Sequence, residues 1–169
     1  MLGIVDALYL AAYTAGFAIM GSLIHRFSLK SYVVTGLALS SISYMLWVLC
    51  YSVTGFYNEI FMICAMTVSG FGQATGWPGI IAILNNWFEG TKKGLLMGLW
   101  ATNAMVGNIL ASNILNILED NDVSFVWNFF VTGSLGLTVV VILLLFLKEK
   151  PDHNHEDLLK SMLSDRESD

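Results

Sequence analysis

Long apolar stretches alternate with short polar segments over residues 1–150 of the chain. A helix needs about 20 apolar residues to cross the ~30 Å hydrocarbon core of a bilayer. Each stretch is apolar around nearly its whole circumference, which is typical of a transmembrane helix and not of an amphipathic surface helix. The pattern predicts five transmembrane helices, at residues 4–24, 32–51, 61–84, 94–118 and 124–147.

The composition favours the same class of protein. Hydrophobic residues make up 56% of the 169 residues and charged residues 12%, whereas an ordinary globular domain carries about 25% charge. We therefore expect an all-α membrane protein with a transmembrane bundle at residues 1–150 and an acidic tail at residues 151–169. Two tail histidines, His153 and His155, are too few ligands to predict a metal site. No cofactor is predicted, and no basic stripe indicates nucleic acid.

The basic residues predict the orientation of the bundle. All eight lie in alternate loops or after the last stretch, and the other loops carry charge only as acids. Because loops rich in Lys and Arg stay in the cytoplasm, we expect the basic loops and the C-terminal tail to be cytoplasmic. The bases are Arg26, Lys30, Lys92, Lys93, Lys148, Lys150, Lys160 and Arg166.

Glycines and polar residues interrupt the third stretch. Gly72 and Gly76 share a helix face at the i, i+4 spacing, and Pro78 removes a backbone hydrogen bond and permits a kink. Gln73 lies in the same segment. Close packing of helices explains these residues as well as a polar pathway does, and both interpretations stay open.

Polar residues also mark the fourth stretch. Asn103 and Gly107 lie on one face, beside a stripe formed by Asn108, Ser112 and Asn116. Amides facing lipid are costly, so we expect this side to meet other helices or water.

The first stretch carries one acid, Asp6, a turn before Tyr9 and two turns before Tyr13. Asp6 is interpreted as an interfacial residue or a helix cap, with a coupling role as the alternative.

The spans contain no catalytic set. They have no nucleophile–base pair, no phosphate loop and no paired carboxylates, so an enzyme is not predicted. No Lys or Arg lies inside any predicted span either. A membrane site that captures a phosphate ester needs fixed positive charge, and these spans do not supply it.

The order and spacing of several short blocks resemble the sugar-phosphate exchanger family, which belongs to the organophosphate:phosphate antiporters of the major facilitator superfamily. The blocks are G-Q-A-T-G-W-P at 72–78, N-W-F at 86–88, K-G at 93–94, G-L-W at 98–100 and V-G-N-I-L at 106–110. The first stretch, D-x-x-Y-L-x-x-Y-x-x-G at 6–16, is similar to the second helix of the family. The resemblance runs from Asp6 to about Pro151.

This resemblance implies that the five spans correspond to helices two to six of a twelve-helix transporter, so the chain is expected to be a fragment. The superfamily is built from inverted repeats of three helices. The implied activity of the parent protein is exchange of a sugar phosphate or glycerol phosphate for inorganic phosphate by alternating access. In relatives, arginines on helices one and seven bind the phosphate, and neither helix is in this chain. The implied membrane is that of the endoplasmic reticulum.

Positions within the resemblance suggest functional residues. Helices four and five line the cavity in such a transporter, which makes Gln73, Trp100 and Asn103 candidates for the cavity wall, with Tyr13 from the second helix.

The first loop resembles the cytoplasmic motif G-x-x-x-D-R-x-G-R-K/R of the superfamily. Gly21, Arg26 and Lys30 match the motif, whereas His25 replaces the acid and Ser28 replaces the second glycine. The ionic latch usually assigned to this loop is therefore not expected in its usual form.

A different class of function stays open. The chain is alternatively a short membrane protein that does not transport but packs against a full-length relative and regulates it. Its glycine-rich helices would keep their packing faces without forming a complete site.

Overall fold

A computed structural model describes residues 2–54, 59–88, 91–121, 124 and 126–150. The described residues are almost entirely helical and include no strand, which confirms the predicted all-α class. The acidic tail predicted at residues 151–169 lies outside the described residues.

Seven α-helices follow one another in the described part of the chain. A short 3-10 turn, Ile24–Arg26, follows the first helix. Among the residues that the structure describes, four segments are long and apolar enough to cross a membrane: Gly3–Arg26, Leu29–Val53, Gly94–Leu118 and Val126–Phe146. The helices are α1 Leu2–Leu23, α2 Leu29–Thr54, α3 Glu59–Gln73, α4 Gly76–Trp87, α5 Thr91–Ala101, α6 Asn103–Asp120 and α7 Val126–Phe146.

The third predicted span forms two helices, α3 and α4. Pro78 explains the division, because its ring lacks an N–H and collides with the carbonyl four residues earlier in a continuous helix. The backbone instead makes a tighter turn in which Thr75 N donates to Gly72 O at 3.3 Å. α4 then restarts at Gly76, so that Pro78 lies in a first helical turn, where proline is tolerated.

A second interruption separates α5 from α6 at Thr102. Its hydroxyl donates to Leu99 O at 2.7 Å, and its backbone N donates to the same oxygen at 3.2 Å. A side chain that bonds its own backbone competes with the helical pattern, which accounts for the break inside the fourth predicted span.

α2 is the central helix of the bundle. It packs against α3, α4 and α7, while α1 packs against α3. The main apolar cluster joins α1, α2, α3 and α7 at the end of the bundle where α1 begins, and Met62 is 1% exposed within it. Its buried members are Val5, Trp47, Met62, Ala65, Met66 and Val126.

The α5–α6 segment lies apart from this core. None of the residues in its apolar segment, Gly94–Leu118, is buried, and Leu95 and Met105 are 77% and 73% exposed. Asn103, Asn108, Ser112 and Asn116 are exposed as well. In the described part of the chain, no neighbouring helix covers the polar stripe predicted for this segment.

Candidate functional site

A polar network surrounds Gln73, the last residue of α3. The Tyr9 hydroxyl on α1 donates to Gln73 Oε1 at 2.7 Å. Gln73 Nε2 donates to Ser40 Oγ at 3.1 Å and to the Tyr44 hydroxyl at 3.2 Å, both on α2. The oxygen of the side-chain amide and both of its N–H groups therefore have partners.

A buried hydroxyl pair extends the network toward the core. Ser40 Oγ and Ser69 Oγ lie 2.7 Å apart, and Ser69 is fully buried. Hydroxyls and amides surrounded by apolar side chains are stable only when they are paired. The network thus holds α1, α2 and α3 together beside the break between α3 and α4.

Glycines let the backbones approach the network closely. A Cβ added at Gly72 would lie 2.7 Å from Gly36 O and 3.1 Å from Ser40 N on α2. One added at Gly70 would lie 2.5 Å from Tyr9 O on α1. Real Cβ atoms do not approach backbone atoms this closely, so α1 and α2 can take these positions only because α3 has no side chain there.

A cavity of about 410 Å³ opens beside the network, among α1, α2, α3 and α7. Tyr9 and Tyr44 belong both to its wall and to the network, and Asp6 contributes a carboxylate. The Tyr44 and Phe129 rings lie 5.8 Å apart in the same wall. The lining residues are Val5, Asp6, Tyr9, Tyr44, Met62, Met66 and Phe129.

The four predicted cavity residues lie in different surroundings. Gln73 is half-buried in the network. The centroids of the Tyr13 and Phe17 rings, both on α1, lie 6.5 Å apart. The Trp100 ring lies 4.3 Å from Trp77, edge to face. Asn103 begins α6 and is exposed. Among the described residues, no hydrogen bond or ring contact joins Tyr13, Trp100 or Asn103 to Gln73.

The residues predicted to pack helices together also lie in different surroundings. Gly72 lies against α2, whereas a Cβ added at Gly76 or at Gly107 would meet open space. Pro78 lies two residues after the start of α4, next to the break.

The start of α2, just after the loop between α1 and α2, contacts the segment that follows α7. Arg26 ends the 3-10 turn and is exposed, and a Cβ added at Gly21 would meet open space. Lys30 N, in the first turn of α2, donates to Glu149 Oε1 at 2.8 Å. The carboxylate thus caps α2 from beyond the end of α7.

The end of α4 contacts the same C-terminal segment. Trp87 Nε1 donates to Lys148 O at 3.0 Å, and Asn86 Nδ2 donates to Glu149 O at 3.2 Å. Together with the Lys30–Glu149 bond, these bonds hold the start of α2, the end of α4 and the segment after α7 together at one end of the bundle.

The sequence profile described as the Major Facilitator Superfamily matches residues 1–165. The chain belongs to the Major Facilitator Superfamily. It is an integral, multi-pass membrane protein, and its helices form part of the bundle of this superfamily.

Relatives within the superfamily carry names of phosphate-ester transporters. The glucose-6-phosphate exchanger SLC37A2 of Danio rerio is 35% identical over 158 residues, which cover 90% of this chain and 30% of the relative. A putative glycerol-3-phosphate transporter 5 of Arabidopsis thaliana is 33% identical over 166 residues, covering 95% of this chain and 32% of the relative. The SLC37A2 exchanger of Homo sapiens is 36% identical over 155 residues, covering 90% and 30%.

These relatives confirm the resemblance to sugar-phosphate exchangers. The chain spans about a third of the length of the curated relatives that it matches. No solved structure is significantly similar to it.

The sequence patterns did not indicate several residues that the structure brings together. Ser40, Tyr44 and Ser69 complete the Gln73 network, and Glu149 caps α2. One signal was present, because Ser40, Ser41 and Ser43 place three hydroxyls next to Tyr44 within an apolar stretch. Among the described residues, no group of three His, Cys, Asp or Glu side chains could hold a metal ion.

Proposed function

We propose that the chain is part of a transporter that exchanges a sugar phosphate or glycerol phosphate for inorganic phosphate by alternating access. The observation that carries this proposal is the similarity, over 90% or more of the chain, to proteins named as exchangers or transporters of these two substrates. The names of the relatives supply the substrate class, and the superfamily supplies the mechanism.

The interrupted helix supports a transport role. Substrate sites in transporters are often formed where a transmembrane helix is discontinuous. The break between α3 and α4 follows Gln73, inside the third span predicted from the sequence, and hydrogen bonds of the network hold Gln73 in place. Gln73, Trp100, Asn103 and Tyr13 remain our candidates for the cavity wall of the complete transporter.

The phosphate group needs a partner that this bundle does not provide. No Lys or Arg lies within residues 4–24, 32–51, 61–84, 94–118 or 124–147, and a desolvated phosphate needs guanidinium or ammonium donors. We therefore place the phosphate-binding cations in the part of the transporter that this chain does not span.

The test is an exchange assay in liposomes. The full transporter that contains this chain is reconstituted into vesicles loaded with inorganic phosphate, and uptake of labelled glucose 6-phosphate and glycerol 3-phosphate is measured. We expect uptake that requires internal phosphate, and no uptake by the chain alone. Absence of phosphate-dependent uptake for every sugar phosphate tried would overturn the proposed exchange, and strong uptake by the chain alone would overturn its role as a part.

One observation favours the second candidate function, a short protein that binds and regulates a full-length relative. The α5–α6 segment exposes a polar stripe with apolar residues on either side of it, and such a surface suits a partner helix in the membrane. Co-purification of the tagged chain with a full-length relative, together with a change in the exchange rate of that relative, would support this function. Failure to co-purify counts against it.

We further propose that the basic loops and the tail face the cytoplasm, in the membrane of the endoplasmic reticulum. A glycosylation sequon inserted at residues 55–58 should be modified, and one inserted at residues 27–28 should not. The reverse pattern would contradict the orientation, and absence of both modifications would contradict the membrane.

A further inference from the structure

A second cavity, of about 250 Å³, lies beside the loop between α1 and α2. α1, that loop, α2 and the end of α3 share its wall. Two of its described lining side chains, Phe27 and Leu39, are 58% and 42% exposed. Because these exposed side chains belong to the wall, the cavity opens outward, toward lipid, in the described part of the chain. None of our four candidates for the substrate cavity is among its described lining residues.

The wall of this second cavity is mainly apolar, and two of its hydroxyls are already bonded. Phe71 on α3 supplies aromatic surface. The Thr35 hydroxyl donates to Ser31 O at 2.6 Å, and the Thr75 hydroxyl donates to Gly72 O at 3.0 Å. A polar solute would lose its hydration without gaining these groups as partners. The cavity therefore suits a hydrocarbon chain.

The extent of the cavity along α2 matches the depth of a lipid tail. Its lining residues on α2 run from Ser31 to Leu39, which is about 12 Å along a helix that rises 1.5 Å per residue. One leaflet contributes about 15 Å of hydrocarbon, half of the ~30 Å core. Because α2 begins at Leu29, the Ser31 end of the cavity lies near the membrane surface and the Leu39 end lies deeper.

Basic residues lie at the surface end of the cavity. Arg26 directly precedes the lining residue Phe27, and Lys30 directly precedes the lining residue Ser31. Neither basic side chain forms an ion pair or a hydrogen bond with another described residue. The Glu149 carboxylate, which contacts the start of α2, accepts from the backbone N–H of Lys30. An anionic headgroup would supply a partner for both basic side chains.

We propose that this cavity binds one anionic phospholipid, with an acyl chain along α2 and its headgroup on Arg26 and Lys30. The inference rests on the membrane location of the chain and not on the proposed exchange function. The orientation proposed above places the lipid in the cytoplasmic leaflet, where anionic lipids are concentrated. Gly72 and Thr75 belong to the wall, so the bound chain contacts the break between α3 and α4. A lipid that binds only the folded bundle also stabilises it.

Neither a free anion nor a zwitterionic lipid matches both features of this site. Inorganic phosphate or a sugar phosphate would pair with the two bases but would leave the apolar cavity unfilled. Phosphatidylcholine would fill the cavity, but its quaternary ammonium group would lie close to the two bases. An anionic phospholipid satisfies the charge and the apolar wall together.

The test measures lipid binding by native mass spectrometry, on the purified chain and on the full transporter that contains it. The probes are dioleoyl phosphatidylserine, dioleoyl phosphatidylcholine and glycerophosphoserine, which has the anionic headgroup without tails. We expect both proteins to bind one phosphatidylserine at least about tenfold more tightly than phosphatidylcholine. An excess of glycerophosphoserine or of inorganic phosphate should not displace it.

A double substitution tests the headgroup contacts. Arg26→Gln combined with Lys30→Gln should weaken phosphatidylserine binding about thirtyfold, the value for two bases next to an anionic lipid. Binding of phosphatidylcholine should stay unchanged, which also shows that the variant is folded. Lys148→Gln combined with Lys150→Gln is the matched control, because it removes two charges that lie outside the cavity wall. It should weaken phosphatidylserine binding by less than about threefold, since exposed charges farther away are screened.

A second pair of variants tests the tail contacts. Thr35→Phe places a ring in the cavity and should weaken binding of both phospholipids at least about tenfold, the effect of losing contact with about two methylene groups. Thr14→Phe is the matched control. Thr14 is likewise exposed, its hydroxyl donates to the carbonyl four residues earlier, and it lies outside the cavity wall. This control should leave lipid binding unchanged.

Several results would overturn the lipid site. Displacement by glycerophosphoserine or phosphate would assign the two bases to a free anion. Equally tight binding of the two phospholipids, or equal weakening by the two double variants, would remove the specific headgroup contact. Equal effects of Thr35→Phe and Thr14→Phe would place the tail elsewhere. Binding to the chain but not to the full transporter would show that another helix covers the cavity. None of these results bears on whether the transporter exchanges phosphate esters, so the two proposals fail separately.

Discussion

At the scale of one residue, the Gln73 side chain joins three helices, because it lies on α3 and hydrogen-bonds to Tyr9 on α1 and to Ser40 and Tyr44 on α2. Its polarity within an apolar stretch singled it out as a functional candidate. Its partners Ser40, Tyr44 and Tyr9 lie 33, 29 and 64 positions away along the chain. No local pattern pairs such distant residues, because the pairing depends on how three helices pack. The sequence therefore identified the centre of the network and not its members.

Replacing Gln73 by leucine tests how much the network contributes to the free energy of unfolding. Gln73→Leu removes three interhelical hydrogen bonds and leaves the Tyr9 hydroxyl without its acceptor. We expect the free energy of unfolding to fall by roughly 1–3 kcal/mol. The measurement is unfolding in mixed micelles with increasing SDS, followed by tryptophan fluorescence.

A matched amide replacement controls for this experiment. Asn113 is exposed, and the hydrogen bond of its side chain goes to Ile109 O in its own helix. Asn113→Leu should change the free energy of unfolding by less than about 0.5 kcal/mol. Equal effects of the two variants would show that the network contributes nothing beyond ordinary helix propensity.

At the scale of helices, the sequence predicted an irregular third span but not what contacts it. Gly72, Gly76 and Pro78 indicated close approach and a kink, and the chain does interrupt its helix between Gln73 and Gly76. A glycine does not specify the helix that approaches it, so the contact of Gly72 with Gly36 on α2 could not be predicted. The break at Thr102 also carried no strong signal, since threonine occurs in many unbroken transmembrane helices.

Two glycines in this segment give opposite predictions for the same substitution. A methyl group at Gly72 would lie 2.7 Å from the Gly36 carbonyl oxygen, whereas one at Gly76 would meet open space. Gly72→Ala should therefore destabilise the bundle by about 1–3 kcal/mol through overpacking. Gly76→Ala should be neutral, or stabilising by up to about 1 kcal/mol, because alanine favours helix. Thermal unfolding in detergent measures both, and a larger loss for Gly76→Ala would refute the observed packing.

Glu149 allows a prediction about how the ends of helices are held. Its carboxylate accepts from Lys30 N in the first turn of α2, where backbone N–H groups lack helical partners. Glu149→Ala should lower the free energy of unfolding by about 0.5–2 kcal/mol, the typical value of a lost N-cap. Limited proteolysis of the loop between α1 and α2 should become faster.

The control for this prediction is Asp120→Ala. Asp120 is also an exposed carboxylate, but it ends α6, where a negative charge meets the negative end of the helix dipole. Its removal should be neutral or slightly stabilising and should leave proteolysis of the α1–α2 loop unchanged. A similar loss of stability in both variants would assign the effect to net charge and not to the cap.

At the scale of the whole molecule, the buried and exposed helices bear on our proposal that the chain is part of a longer transporter. α1, α2, α3 and α7 share a core, whereas α5 and α6 expose both their apolar and their polar residues. The relatives are about three times as long as the aligned region. We expect the polar stripe on α6 to contact helices of the full transporter that this chain does not include.

This expectation can be tested by changing one residue in two contexts. Asn108 is exposed on α6, so in the isolated chain its amide faces detergent or lipid, where a leucine is more favourable. Asn108→Leu should therefore leave the isolated chain as stable as before or make it more stable. In the full transporter the same change should remove an interhelical hydrogen bond and lower the midpoint of thermal unfolding, because buried amides in membrane bundles contribute about 0.6–2 kcal/mol. The sign of the effect thus reports whether a partner covers α6. If Asn108→Leu shifts the midpoint in the same direction in both proteins, α6 faces lipid in each, and the exposed face is a property of the molecule and not of a missing neighbour.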